Sequence, residues 1–582
     1  MKYFPHIIIS LYQIMILSNL KKCFVALLVM GAAVPVQAQR WDNYRPDNRN
    51  VKLTVTNLPI VYLDTRKVTG SRQTIDREER ISVHMKIIDN GEGQLNYADT
   101  TSNPGQKKDY DGWVGLRYRG NSSFTMSDKK PYSFKTLNGT YEAGGKKQKV
   151  SLLGMGKDND WALLAPYSDK SMMRDLLALT LAKPYMEFVP TGRYCEVILD
   201  DIYYGVYILS ERVTSGKKRL NLDDPGDEGD ALTGGYQVEV DRNDEDHVYT
   251  SKHCPRRSNG YEITWRDIVF QYKSPEYEDM NSTQLNYLHS KIDAMEDVLA
   301  GSNYKDPVNG YASQMDVMSF IDHQLSQEFA HNVDGYRLST NLYKHRDSVD
   351  PRWKTSLWDF NIAFGNADYY DGSATNTWVY LMNDENDNFF WNDDRLQPFW
   401  WVRLMTDPAY EQKLKNRWTQ YRHENYTNEH IFAMVDSLSN RLTAKGAEGR
   451  NSQAWPRWNT YVWPNAYVAS SFTNEISHLK QWIANRLTWM DSKLLLADYD
   501  GIEEIEAGKA APFRMIRAGR REWRVIADGY TTLSVTDSSG RQLLALSLDG
   551  SMTSLDASAL PSGVYVVTVT GPTGKRSRKV VL

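Results

Sequence analysis

Cysteine is close to absent, at three in 582 residues. Cys23 opens an apolar run near the N-terminus, which leaves Cys195 and Cys254 for the folded protein. Two cysteines in so long a chain exclude a disulfide-stapled scaffold and leave one pairing open. An excess of one charge is missing too. The 69 Lys and Arg nearly balance 73 Asp and Glu, for a net charge of −4. That excludes a chain that coats nucleic acid by charge, and no nucleic-acid partner is expected. The apolar run Cys23–Val34 is too short for a stable membrane span. His323, His331 and His345 do not fall at a zinc-binding spacing. The polar stretch Gly120–Asp128 has one glycine, so it is at most a loose analogue of a Gly-rich phosphate loop.

What is present describes an exported, folded, multidomain protein. Hydrophobic residues make up 41% of the chain, and its length predicts two or more domains. Lys21 and Lys22 precede the apolar run, and Val36-Gln37-Ala38 follows as a small-residue cleavage site. Residues 1–38 therefore read as a signal peptide, with Met15 as an alternative start. The mature protein is expected outside the cytoplasm, where ATP is scarce. Seventeen Trp and 36 Tyr suit either a large aromatic core or sugar-stacking surfaces.

Strand-like patterns come first. Val51, Leu53 and Val55 alternate, and Ile81–Ile88, Val114–Arg119, Tyr132–Lys135, Cys195–Leu199, Tyr204–Leu209 and Tyr236–Val240 follow. One helix is expected over Ser171–Lys183, stopped by Pro184. Helical spacing then dominates: Leu285 to Leu299 ahead of Gly301, Val317 to Phe329 behind Asp316 as a cap, and three later segments ending near Leu494. From about Ile505 the chain is β-like and turn-rich again, and its closing stretch is basic. Strands followed by helices predict an α+β fold in two lobes, with a small all-β module at the C-terminus.

Polar residues gather between Asn332 and Gly365, beside apolar runs. Asp334, Asn341 and Asp359 appear in the order in which kinases hold a base and a metal–nucleotide, the last pair about 18 residues apart. Asp334 and Asn341 are seven residues apart, against the five usual in kinases, and Gly335 would let the extra two loop out. Glu239 and Asp241 alternate to one strand face and suit either metal or substrate binding, or a charged strand edge.

Several ordered segments resemble the CotH kinase family, distant relatives of protein kinases. They are Arg119-Gly120-Asn121-Ser122-Ser123, Lys129 to Lys135, Tyr204 to Glu211, Gly234-Gly235-Tyr236, the Asn332/Asp334/Asn341/Tyr343 group and Trp358 to Gly365, all within 110–420. The resemblance implies ATP- and Mg²⁺- or Mn²⁺-dependent phosphate transfer to Ser or Thr of an exported protein. Asp359 would grip the metal, with Asn341 and Asn361 as further ligands. Position 361 carries Asn where many relatives carry a second Asp. Asp334 would be the base or a metal-facing carboxylate. Lys135 would neutralise phosphate, with Lys129, Lys130 and Arg119 as alternatives and Lys157 and Arg174 as further contacts. Glu211 would order the lysine or meet adenine or ribose.

The tail resembles the C-terminal sorting domain of the Bacteroidetes type IX secretion system, through Leu560 to Val567 and Arg578 to Leu582. That implies secretion machinery as a partner and an address at the outer-membrane surface or beyond. The expected layout is 39–110 as a β-rich region packed on the core, 111–245 as a kinase-like N-lobe, 246–500 as a helical C-lobe and 505–582 as the sorting module. Two rivals are a kinase-like binding or structural protein without activity, and a glycan-binding or glycan-active protein. The latter lacks a carboxylate pair that can be read from the sequence.

Overall fold

The structure is a computed structural model. It describes residue 48, residues 50–384 and 395–496, and 513–581 with short interruptions. The segment expected as a signal peptide, residues 1–38, lies outside the described residues.

Seven strands close into a barrel. In spatial order they are Ile60–Asp64, Ile81–Ile88, Lys108–Tyr118, Tyr132–Leu137, Asp160–Leu164, Ile202–Glu211 and Gly192–Leu199. A parallel pairing of Ile60–Asp64 with Gly192–Leu199 completes the circle, and all other pairs are antiparallel. Alternation drives the closure, since Val83, Met85 and Ile87, Val114 and Leu116, and Phe134 point into one apolar core with Trp161, Leu163 and Leu209. Asp200 and Asp201 form the tight turn between the last two strands, at φ 49° and 67°. Aspartate tolerates that left-handed region better than bulky residues do. The barrel spans residues 60–211, so the segment expected as a packed N-terminal region supplies two of its strands.

The expected helix forms over Arg174–Ala182 and is almost wholly buried. Tyr236–Val240, assigned by pattern to the first lobe, pairs instead with Val269–Ser274 and Thr340–Lys344. With Val248–Thr250 and Lys354–Ser356 these make a separate five-stranded sheet. Helices Ser282–Ala300 and Val317–Ala330, and helix Phe472–Leu494 as far as Met490, belong to the same unit. Asn281 starts the first of them with a full capping box against Gln284, and Asp316 caps the second through Ser319 N–H.

A second unit comprises Gln412–Thr427 and the chain from Asp491 onward. It contains a three-stranded and a four-stranded antiparallel sheet, with Trp523, Val525, Leu533, Val535, Val567 and Val569 in one core. The two sheets are the all-β module expected from the tail. Cys195 is buried, Cys254 is half-buried, and both are free thiols. Among the described residues no helix is long and apolar enough to cross a membrane.

Candidate functional site

A cavity of about 410 Å³ lies where the barrel meets the five-stranded sheet. One wall is the segment after strand Lys108–Tyr118, from Arg119 to Ser123, joined by Arg212 just past strand Ile202–Glu211. The facing wall is Glu239 and Asp241 at the end of strand Tyr236–Val240, with Arg242 and Lys273. Asp334, Trp358, Asp359 and Asn361 also border it, as does Asp175 from the first turn of helix Arg174–Ala182. Asn121 Nδ2 donates to Asp244 Oδ2 at 3.0 Å and joins the two walls, while Arg77 holds Asn121 Oδ1 at 2.6 Å.

Asp359 adopts φ 62°, a conformation non-glycine residues rarely take and one concentrated at functional sites. Three bonds fix the turn around it. Phe360 N–H donates to Asp175 Oδ1 at 2.7 Å, Asn332 Nδ2 to the Asp359 carbonyl at 3.1 Å, and Phe364 N–H to the Ala330 carbonyl at 2.7 Å. Phe360 and Phe364 are buried, which anchors the turn by packing. Burial pushes the Asp359 carboxyl up, and the neighbouring Asp334 charge adds to this, with Arg119 and Arg242 opposing. Asn361 Nδ2 donates to Asp359 Oδ1. Asp334 accepts from Arg337 Nη2 at 2.7 Å, and Arg337 is itself held by the Val333 carbonyl. Burial and the Glu239 charge push Asp241 up to about 6, although Ser339 N–H and Arg242 N–H both donate to its carboxylate.

Arg119 stands opposite these acids. Its guanidinium lies 5.2 Å from the Trp358 ring centroid and has no side-chain hydrogen bond among the described residues. Burial, then repulsion from Arg212, pulls it down to about 10, while Asp359, Asp175 and Glu239 hold it up. Arg212 is paired, with Asp160 at 3.0 Å.

Of the residues singled out from the sequence, Arg119, Glu239, Asp241, Asp334, Asp359 and Asn361 meet in this cavity. The others have different surroundings. Lys135 lies outside the lining, 3.8 Å from Asp160 Oδ2, because its strand turns it toward the neighbouring strand Asp160–Leu164. Lys130 donates to the Phe124 and Ser127 carbonyls, pinning the turn whose residues Ser122, Ser123 and Ser127 face the cavity. Lys129 is buried against the Val206 carbonyl, Asn451 Oδ1 and the Tyr207 ring. Glu211 accepts Gly156 and Thr191 N–H, each at 2.9 Å, and borders a different hollow. Lys157 is exposed and outside the lining. Arg174 is buried among Asp169 at 2.6 Å, Glu475 at 2.8 Å and the Ala363 carbonyl at 3.0 Å, so it braces the 358–365 turn and is not available to a ligand. Asn341 faces into the sheet. Its amide nitrogen holds Glu239 Oε1 at 3.0 Å, and its oxygen accepts from Gln237 at 2.9 Å. Asp175, Arg212, Arg242 and Lys273 were not foreseen. For Asp175 the available signal was an acidic residue in a helix's first turn, which reads equally as dipole compensation.

Comparison with known proteins bears on the same region. The search of curated proteins returned no match. Residues 523–582 match the family described as Secretion system C-terminal sorting domain, which points to export and to contact with secretion machinery. Residues 116–490, more than half of the chain, match the family described as CotH kinase protein; they take in the barrel from the end of strand Lys108–Tyr118 onward and the whole five-stranded sheet. The chain belongs to the CotH kinase protein family.

Proposed function

We propose that the cavity binds ATP with Mg²⁺ or Mn²⁺ and passes the γ-phosphate to a Ser or Thr hydroxyl of an exported protein. The observation that carries this reading is the Arg119 guanidinium, unbonded and facing Asp359, Asp334 and Asn361 across one cavity. A planar cation left without a partner suits phosphate oxygens. The volume falls within the ~300–1,000 Å³ of small-molecule sites.

The donor set fits a hard divalent cation. Among the described residues no group of three or more His, Cys, Asp or Glu is placed to hold a metal ion by itself, so substrate oxygens would have to contribute. Mg²⁺ is commonly held by one or two carboxylates plus substrate phosphates, which Asp359 and the Asn361 amide oxygen would serve. The cation, when bound, would neutralise charge on the β- and γ-phosphates. Arg119 and Arg212 would hold phosphate oxygens, and Asp334, oriented by Arg337, would accept the hydroxyl proton. The barrel acts as one lobe, and the five-stranded sheet with its helices as the other. Type IX export to the cell surface follows from the tail.

The Asn341 amide favours a second reading. It is committed to Glu239 and Gln237, which leaves fewer cation ligands than an ordinary kinase has and suits a nucleotide-binding protein without transfer. Calorimetric titration of ATP into the mature chain, with and without Mg²⁺ or Mn²⁺, tests both. Metal-dependent binding that Asp359→Ala weakens at least about tenfold, with labelled phosphate appearing on a protein acceptor, supports the kinase. Binding without transfer selects the second reading, and no binding at millimolar ATP overturns both.

A further inference from the structure

We infer that Asp175 supplies the second anionic oxygen of the cation site, in place of the carboxylate that position 361 lacks. The inference rests on the reading of Asp359 as a cation ligand. Asp175 lies 185 positions before Phe360 in the chain, yet its Oδ1 accepts Phe360 N–H at 2.7 Å and so abuts the Asp359 turn. It is 6% exposed and still borders the cavity. Its Oδ2 has no hydrogen bond among the described residues. The adjacent Arg174 does not compensate it, because that guanidinium is spent on Asp169 and Glu475.

Two carboxylates that repel one another therefore border one cavity, and Asn361, bonded to Asp359, contributes no charge. Burying a carboxylate is costly, and a second beside it adds repulsion, which Arg119 opposes only in part. A positive charge between such a pair relieves both costs. Asp175 and Asp359 would hold a divalent cation that offsets both penalties, with substrate phosphates as further ligands. The charge at the site thus comes from that turn and a helix start.

Asp175→Asn separates charge from scaffolding, because the amide oxygen still accepts Phe360 N–H. Mn²⁺ binding to the mature chain in the presence of ADP, followed by electron paramagnetic resonance, is expected to weaken at least about tenfold in Asp175→Asn. Adding Asn361→Asp should restore it to within about threefold, since charge returns to the same place. Asn361→Asp alone should tighten it, which keeps the idea testable if Asp175→Asn fails to fold. A purely structural Asp175 would not be rescued from position 361. Unchanged Mn²⁺ binding in Asp175→Asn, with loss in Asp359→Asn, overturns the inference and leaves the proposed function standing. Mn²⁺ binding that is indifferent to Asp359→Asn overturns both.

Discussion

Arg119 and Lys135 are both cations of the barrel segments that carry the family resemblance, yet their neighbours give them opposite roles. Lys135 shares Asp160 with Arg212, so it is compensated inside the barrel wall. Arg119 faces acids across open space without a bonded partner. Arg119→Ala should therefore weaken ATP binding at least about tenfold, or roughly 1.4 kcal/mol, with little change in melting temperature. Lys135→Ala should leave ATP affinity within about twofold and lower stability slightly. Calorimetry with a thermal melt checks both. The sequence motif favoured the lysine because kinases use one on a strand, and a strand's residue types do not reveal which neighbour its outward face meets.

Elements show the same division between local and distant information. Helix Ser282–Ala300 could be read from its apolar spacing and its ends because both signals are local. The barrel could not, because its closing pair joins Ile60 to Glu196 and nothing near either residue announces the other. The site lies between these cases. Asp359 and Asp334 fall in one polar cluster and were legible, whereas Asp175 and Arg212 arrive from other elements through folding alone. Helix Ser282–Ala300 also carries a buried acid, Glu296, which accepts from Trp400 Nε1 at 2.8 Å and Ser251 Oγ at 2.6 Å. Burial pushes it up to about 7, with the nearby Asp293 and Asp297 charges adding to this. The folded state thus holds a proton that the unfolded chain releases near pH 4.5. Its stabilising contribution is complete below that pH and is lost as pH rises through about 7. Glu296→Gln should remove this slope and raise stability at pH 8 by up to roughly 3 kcal/mol. Urea melts between pH 4.5 and 8 measure it.

At the scale of the whole molecule the two units have separate cores. A chain ending at residue 496 should therefore keep metal-dependent ATP binding, measured as above, and should fail to reach the cell surface when expressed in a type IX-competent host. Surface labelling of intact cells reads the second effect. Unchanged surface delivery would remove the sorting role of the tail.

The parallel seam between Ile60–Asp64 and Gly192–Leu199 also governs when this protein can begin to exist as a folded object. Contacts separated by well over a hundred residues are slow to form, because the intervening chain must first surrender its freedom. No growing or emerging fragment that stops short of residue 192 can seal the cylinder, so its first strand keeps one flank bare for that whole interval. Once sealed, the cylinder offers no frayed border for another chain to pair with, which suits a molecule that must survive among strangers.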